Sequence, residues 1–179
     1  MGKKIPDYLD DPFDVLMYRL CDILAPVFRR TGHTPNMITT YSLITGLLAC
    51  YAIYKNNIAL FIPLFLVSYF FDCFDGFFAR KYRMTSKFGD YYDHIKDACV
   101  YIVLIVVMFC KYRSVITPVN VVLMVILFIL FSSHMGCQQR YYQAMNKDVD
   151  GETLDMYQRM CRDKDDLKYT RFFGPGMLT

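Results

Sequence analysis

Charge is scarce in this sequence. Asp, Glu, Lys and Arg make up 21% of its 179 residues. These charges lie between apolar blocks of roughly 14 to 20 residues, which argues against an ordinary soluble domain. A large net charge is also missing. The formal value is +3 at pH 7, too small to draw a nucleic acid, so no nucleic-acid partner is expected. The seven cysteines, Cys21, Cys50, Cys73, Cys99, Cys110, Cys137 and Cys161, include no CxxC pair. A zinc site is therefore not expected. Several of them fall in apolar runs, and all are read as free, buried, small apolar residues. The N-terminal MGKKIPDYLDDPFD has no h-region, so no cleaved signal peptide is expected. Gly2 begins like a myristoylation site, but Pro6 stands where that motif needs Ser or Thr. Internal repeats and low-complexity tracts are absent.

What is abundant is apolar surface: 55% of residues are hydrophobic and 17% aromatic. The pattern predicts an all-α, polytopic membrane helix bundle. Residues 12–30 place Phe13, Leu16, Leu20, Leu24 and Val27 at helical spacing, with Asp14, Tyr18, Asp22 and Arg29 on another side. That stretch has too many charges to span, and it reads as an amphipathic helix lying in the membrane interface. Pro35 suits a helix start. Residues 36–54 form the first expected span, about 28 Å long against a hydrocarbon core of ~30 Å. The second and third are expected over 58–80 and 89–110, and a fourth over 115–135. Each of the middle two has a short apolar part, so its charged end must lie within the membrane's depth near one face. Residues 136–179 read as a charged tail in the same single domain, with Leu154, Tyr157 and Met160 spaced for a short surface helix.

Basic residues are uneven between the two sides. Lys3, Lys4, Arg19, Arg29 and Arg30 precede the first span, and Arg80, Lys81, Arg83 and Lys87 surround the loop between the second and third. The other side carries Lys55, Lys111 and Arg113. The positive-inside rule places both termini and the aspartate-rich residues 72–97 on the cytosolic side, as in a multi-pass protein (of the endoplasmic reticulum, if eukaryotic).

The most informative stretch is DCFDGFFARKYRMTSKFGDYYDHIKD, residues 72–97. On a helix, Asp72, Asp75 and Ala79 share one face, and Gly76 and Arg80 form the adjacent stripe. Gly89, Asp93 and Asp97 are each four apart and stack likewise. Clustered carboxylates repel and are costly at membrane depth. Divalent cations resolve both problems, and an all-oxygen ligand set suits Mg²⁺ or Mn²⁺ over zinc. Two such ions would balance the aspartates Asp72, Asp75, Asp93 and Asp97. The small residues Gly76, Ala79 and Gly89 leave room for a bulky ligand, and Arg80 can pair with a phosphate.

These residues resemble the signature of the CDP-alcohol phosphotransferase (CDP-alcohol phosphatidyltransferase) family, D-x2-D-G-x2-A-R-x8-G-x3-D-x3-D. Every specified position matches: Asp72, Asp75, Gly76, Ala79, Arg80, Gly89, Asp93 and Asp97. The upstream TPNMIT, with Asn36, resembles the opening of the family's first span. The resemblance covers residues 12 to about 135. It implies Mg²⁺-dependent transfer of a substituted phosphate from a CDP-linked donor to an alcohol acceptor, with release of CMP, in phospholipid synthesis at the lipid bilayer. It implies metal ligation by Asp72, Asp75, Asp93 and Asp97, with Asp97 also a candidate general base. Gly76, Ala79, Arg80, Gly89 and Asn36 would be cofactor- or donor-binding positions.

The Asp93–His94 pair resembles the choline/ethanolamine phosphotransferase branch, in which that histidine is a candidate base; an imidazole titrates in a suitable range. This tilts the donor expectation toward that branch, with a CDP-diacylglycerol-dependent phosphatidyltransferase next. His33 and His134 are read as structural or interfacial. Family members are usually homodimers with six spans, whereas four spans are read here. The alternative expectation is therefore a truncated, inactive relative that binds CDP-lipid or partners an active subunit.

Overall fold

The computed structural model describes residues 2–3, 5–145, 161 and 167–178. The helix expected around Leu154, Tyr157 and Met160 lies outside the described residues. Among those described, regular structure is helical throughout. The elements are α1 (Pro12–Arg30), α2 (Pro35–Tyr54), α3 (Ile58–Lys81), α4 (Lys87–Lys111), α5 (Pro118–Met145), α6 (Leu167–Thr170) and α7 (Pro175–Leu178). They fall into two compact units, residues 1–2 with 17–116 and residues 3–16 with 117–179.

The first unit is a bundle of α2, α3 and α4 with most of α1. Its helix ends follow local chemistry. Gly32 takes φ 76° just past α1, where a side chain would be strained. Thr34 caps α2 and Pro35 occupies its first turn. Asn57 caps α3, and the Ser86 hydroxyl accepts from Gly89 N at 3.0 Å to cap α4. Small and hydroxylated residues let the three long helices approach closely. Ser42 Oγ donates to Ser68 O, and Ser68 Oγ donates back to Ser42 O, both at 2.9 Å. A Cβ on Gly46 would lie 2.9 Å from Ser68 Oγ and 3.0 Å from Val100, so only glycine fits without a shift. At the far end of the bundle, the Tyr112 hydroxyl reaches Ile53 O and Asn56 Oδ1.

Helix α1 uses its two faces in a specific way. Cys21 and Ala25 are buried against Phe74, Phe77 and Phe78 of α3. Leu20, Ile23 and Val27 stay exposed. The side with small residues therefore packs inward while larger aliphatics stay exposed. Lys81 Nζ pairs with Asp22 at 2.7 Å and fastens α1 to the end of α3.

In the second unit, Ile5, Leu9, Cys137, Cys161 and Leu167 form the core with Tyr141. Cys137 and Cys161 are joined by a disulfide, which corrects the reading of all cysteines as free. The pairing could not be read from the sequence, because the partners are 24 residues apart and in no motif. Helix α5 also differs from its expected range. Residues 113–115 form a 3₁₀ turn and Pro118 opens the helix, so it starts later than 115. It then runs on to Met145, because nothing in CQQRYYQAM breaks it.

Among the described residues, three helices are long and apolar enough to cross a membrane: Pro35–Tyr54, Ile58–Lys81 and Pro118–Met145. Helix α4 has the length, 25 residues, but its first half carries Asp90, Asp93, Lys96 and Asp97.

Candidate active site

The site forms where the end of α3 meets the start of α4, with α2 as its floor. Asp72, Asp93 and Asp97 each turn a carboxylate oxygen inward, and those oxygens all lie within 4.8 Å of one another. Asp75, one turn along α3, is 5% exposed. It feels the charges of Asp93 and Asp72, and the Thr39 hydroxyl of α2 bonds to it. Three of the four aspartates thus share one cluster, and Asp75 lies beside it.

Lys96 was missed by the sequence reading and sits at the middle of this group. Its side chain is 2% exposed, and its ammonium lies 2.7 Å from Asp97 Oδ1 and 3.1 Å from Asp93 Oδ1. It also donates to Asp72 Oδ1. The signal was present in the sequence. Asp93, Lys96, Asp97 and Val100 are spaced i, i+3, i+4 and i+7, the inward face of α4. Asp97 is the most open of the three clustered carboxylates, with 45% of its side chain exposed against 35% for Asp93 and 32% for Asp72.

The remaining candidates line the edges. Asn36 of α2 stands against Gly89 of α4: a Cβ on Gly89 would lie 3.2 Å from Asn36 Oδ1 and 3.1 Å from Ser86 Oγ. Thr40 and Tyr92 bond through their hydroxyls at 3.0 Å and hold α2 to α4 one turn deeper. On α3, the Arg80 guanidinium folds back over Gly76, 3.0 Å from where a Cβ would be. Arg80 Nε donates to Gly2 O at 2.7 Å, so this cation is held by the chain's own N-terminal segment. Ala79 is half-buried beside it. His94 points elsewhere with one nitrogen: Nδ1 lies 2.7 Å from the Asp90 carbonyl oxygen on its own helix.

The donor set fits a divalent ion. It consists of hard carboxylate oxygens in one convergent cluster, and beside it Asp75 Oδ2 is buried without a hydrogen bond. A buried acceptor left unmet at this depth suits added positive charge.

The family profile for CDP-alcohol phosphatidyltransferase matches residues 32–153, which include all of these residues except Gly2. The chain belongs to this family. Its apolar helices fit a membrane protein of this family. The chain is similar to the CDP-diacylglycerol–inositol 3-phosphatidyltransferase of Candida albicans, 33% identical over 57% of this chain and 42% of that protein. It is also similar to the archaetidylinositol phosphate synthase of Pyrococcus horikoshii, 38% identical over 37% of this chain and 35% of that protein. It therefore spans well under two thirds of the length of these curated relatives. No solved structure matches it.

Proposed function

We propose that this chain transfers a phosphatidyl-type group from a CDP-linked lipid to the hydroxyl of a polar alcohol, releasing CMP. The observation that carries this reading is the convergence of Asp72, Asp93 and Asp97 from two helices within 4.8 Å, inside the family's signature. Both relatives named above are synthases of inositol-bearing lipids, which favours a CDP-diacylglycerol-like donor and a polyol acceptor over the choline/ethanolamine lean.

Divalent ions bound here, two Mg²⁺ in this proposal, would neutralise the donor diphosphate and stabilise charge on departing CMP. Asp72, Asp75 and Asp93 would hold them. Gly76, Ala79 and Gly89 keep side chains away from the nucleotide, and Asn36 bounds that space. Arg80 would exchange its bond to Gly2 O for a phosphate oxygen, a better partner for a guanidinium. Asp97, the most open carboxylate, would take the proton of the attacking hydroxyl. His94, with Nδ1 engaged by Asp90 O, would act beside the site rather than as that base.

The uneven basic charge supports a cytosolic face for the site in a multi-pass protein. The Cys137–Cys161 disulfide pulls the other way for the second unit, because cytosolic thiols are kept reduced. We propose a homodimer, as family membership suggests.

The test is CMP release by purified protein in lipid, with Mg²⁺ and either CDP-diacylglycerol plus a panel of polyols or CDP-choline plus diacylglycerol. Release with the first pair and not the second is expected. Release with the second alone reverses the donor assignment, and release with neither sinks the enzyme reading.

A further inference from the structure

We infer that Lys96 is a built-in counter-cation that holds the aspartate cluster together without metal and must be expelled for a divalent ion to bind. This rests on the metal-site reading above. Three observations carry it.

First, the ammonium is placed among the same oxygens that would ligate a metal. Lys96 contacts one oxygen each of Asp72, Asp93 and Asp97, and those three residues form the metal-type cluster. Second, Lys96 is 2% exposed. A buried ammonium is strongly unfavourable unless paired, and close carboxylates are unfavourable unless neutralised. Each satisfies the other, so the site is assembled before any ion arrives. Third, the two cations exclude one another. Mg²⁺ holds oxygens at about 2.0–2.1 Å and an ammonium at about 2.7–2.9 Å, so they cannot share one oxygen triangle. Lysine suits such a part. Its single charge rides on a flexible four-carbon stem that can swing aside, unlike a rigid guanidinium. The consequence is a metal affinity set by competition: the protein trades some affinity for a site that survives metal loss.

The experiment uses the full chain in detergent, with Mn²⁺ binding followed by electron paramagnetic resonance. Lys96→Met keeps the stem and removes the charge. It should bind Mn²⁺ roughly tenfold or more tighter than the wild type, since the competing cation is gone. After treatment with a chelator, its unfolding midpoint should fall further than that of the wild type. If the wild type binds Mn²⁺ and Lys96→Met binds it no tighter, this inference fails while the metal reading stands. If the wild type does not bind Mn²⁺, the metal reading fails and this inference falls with it. A second measurement needs no variant. Amine acylation of the wild type, read by mass spectrometry, should find Lys96 protected in chelator and reactive with Mn²⁺. Equal protection in both conditions overturns the proposal.

Discussion

Lys96 Nζ lies 2.7 Å from Asp97 Oδ1, while the same ammonium also meets Asp93 and Asp72. Asp97 is therefore one of several partners for that charge and the most open of them. Asp97→Asn should reduce CMP release by about a hundredfold or more, the scale of losing a general base. It should shift the unfolding midpoint by no more than about 4 °C, because Lys96 keeps its other partners. Parallel turnover and thermal-unfolding measurements check the pair. A large loss of stability with little loss of rate would assign Asp97 a structural part.

His94 is expected to behave differently. Its Nδ1 is engaged by the Asp90 carbonyl oxygen at 2.7 Å, so His94→Ala should lower turnover by less than about tenfold. A loss on the Asp97→Asn scale, with the acid limb of the pH profile removed, would make the histidine the base instead.

Gly46 reports on the helix bundle alone. A Cβ there meets Ser68 Oγ at 2.9 Å and Val100 at 3.0 Å, across two neighbouring helices. Gly46→Ala should destabilise by roughly 1–3 kcal/mol, the usual range for overpacking. Thermal unfolding in detergent measures it. An unchanged midpoint would mean that α2, α3 and α4 are not this close.

The cysteines give a chemical count. Five are free and two are joined. Denatured, unreduced protein should take up five maleimide groups, and reduced protein all seven. In the folded state Cys21 should react more slowly than the exposed Cys99 and Cys110, since burial pushes its thiol up to about 12 and leaves it protonated. Seven labels without reduction would remove the disulfide and with it the objection to a cytosolic second unit.

Much of the site was legible because helix periodicity is a strong constraint. The i, i+3 spacing of Asp72 and Asp75 shares a face only on a helix, and helices α3 and α4 bring Asp72, Asp93 and Asp97 to one cluster with Asp75 beside it. What the carboxylate pattern hid was the cation among them. Lys96 is not singled out by the motif, although its i+3 relation to Asp93 turns it inward. The contribution of α2 was only half visible. Asn36 was named from its motif, but Thr39 and Thr40 reach Asp75 and Tyr92 through packing that no local spacing encodes. The disulfide joins positions 24 residues apart, a pairing that likewise has no local signal.

The central claim is that Asp72, Asp75, Asp93 and Asp97 capture a CDP-linked diphosphate through divalent ions. Equilibrium binding of radiolabelled CDP-diacylglycerol to the purified protein tests it most directly, with and without Mg²⁺, in the wild type and in Asp72→Asn. The account predicts saturable binding that needs Mg²⁺, is lost in chelator, and weakens by about a hundredfold or more in Asp72→Asn. Binding of equal strength in chelator, or untouched by Asp72→Asn, would contradict it.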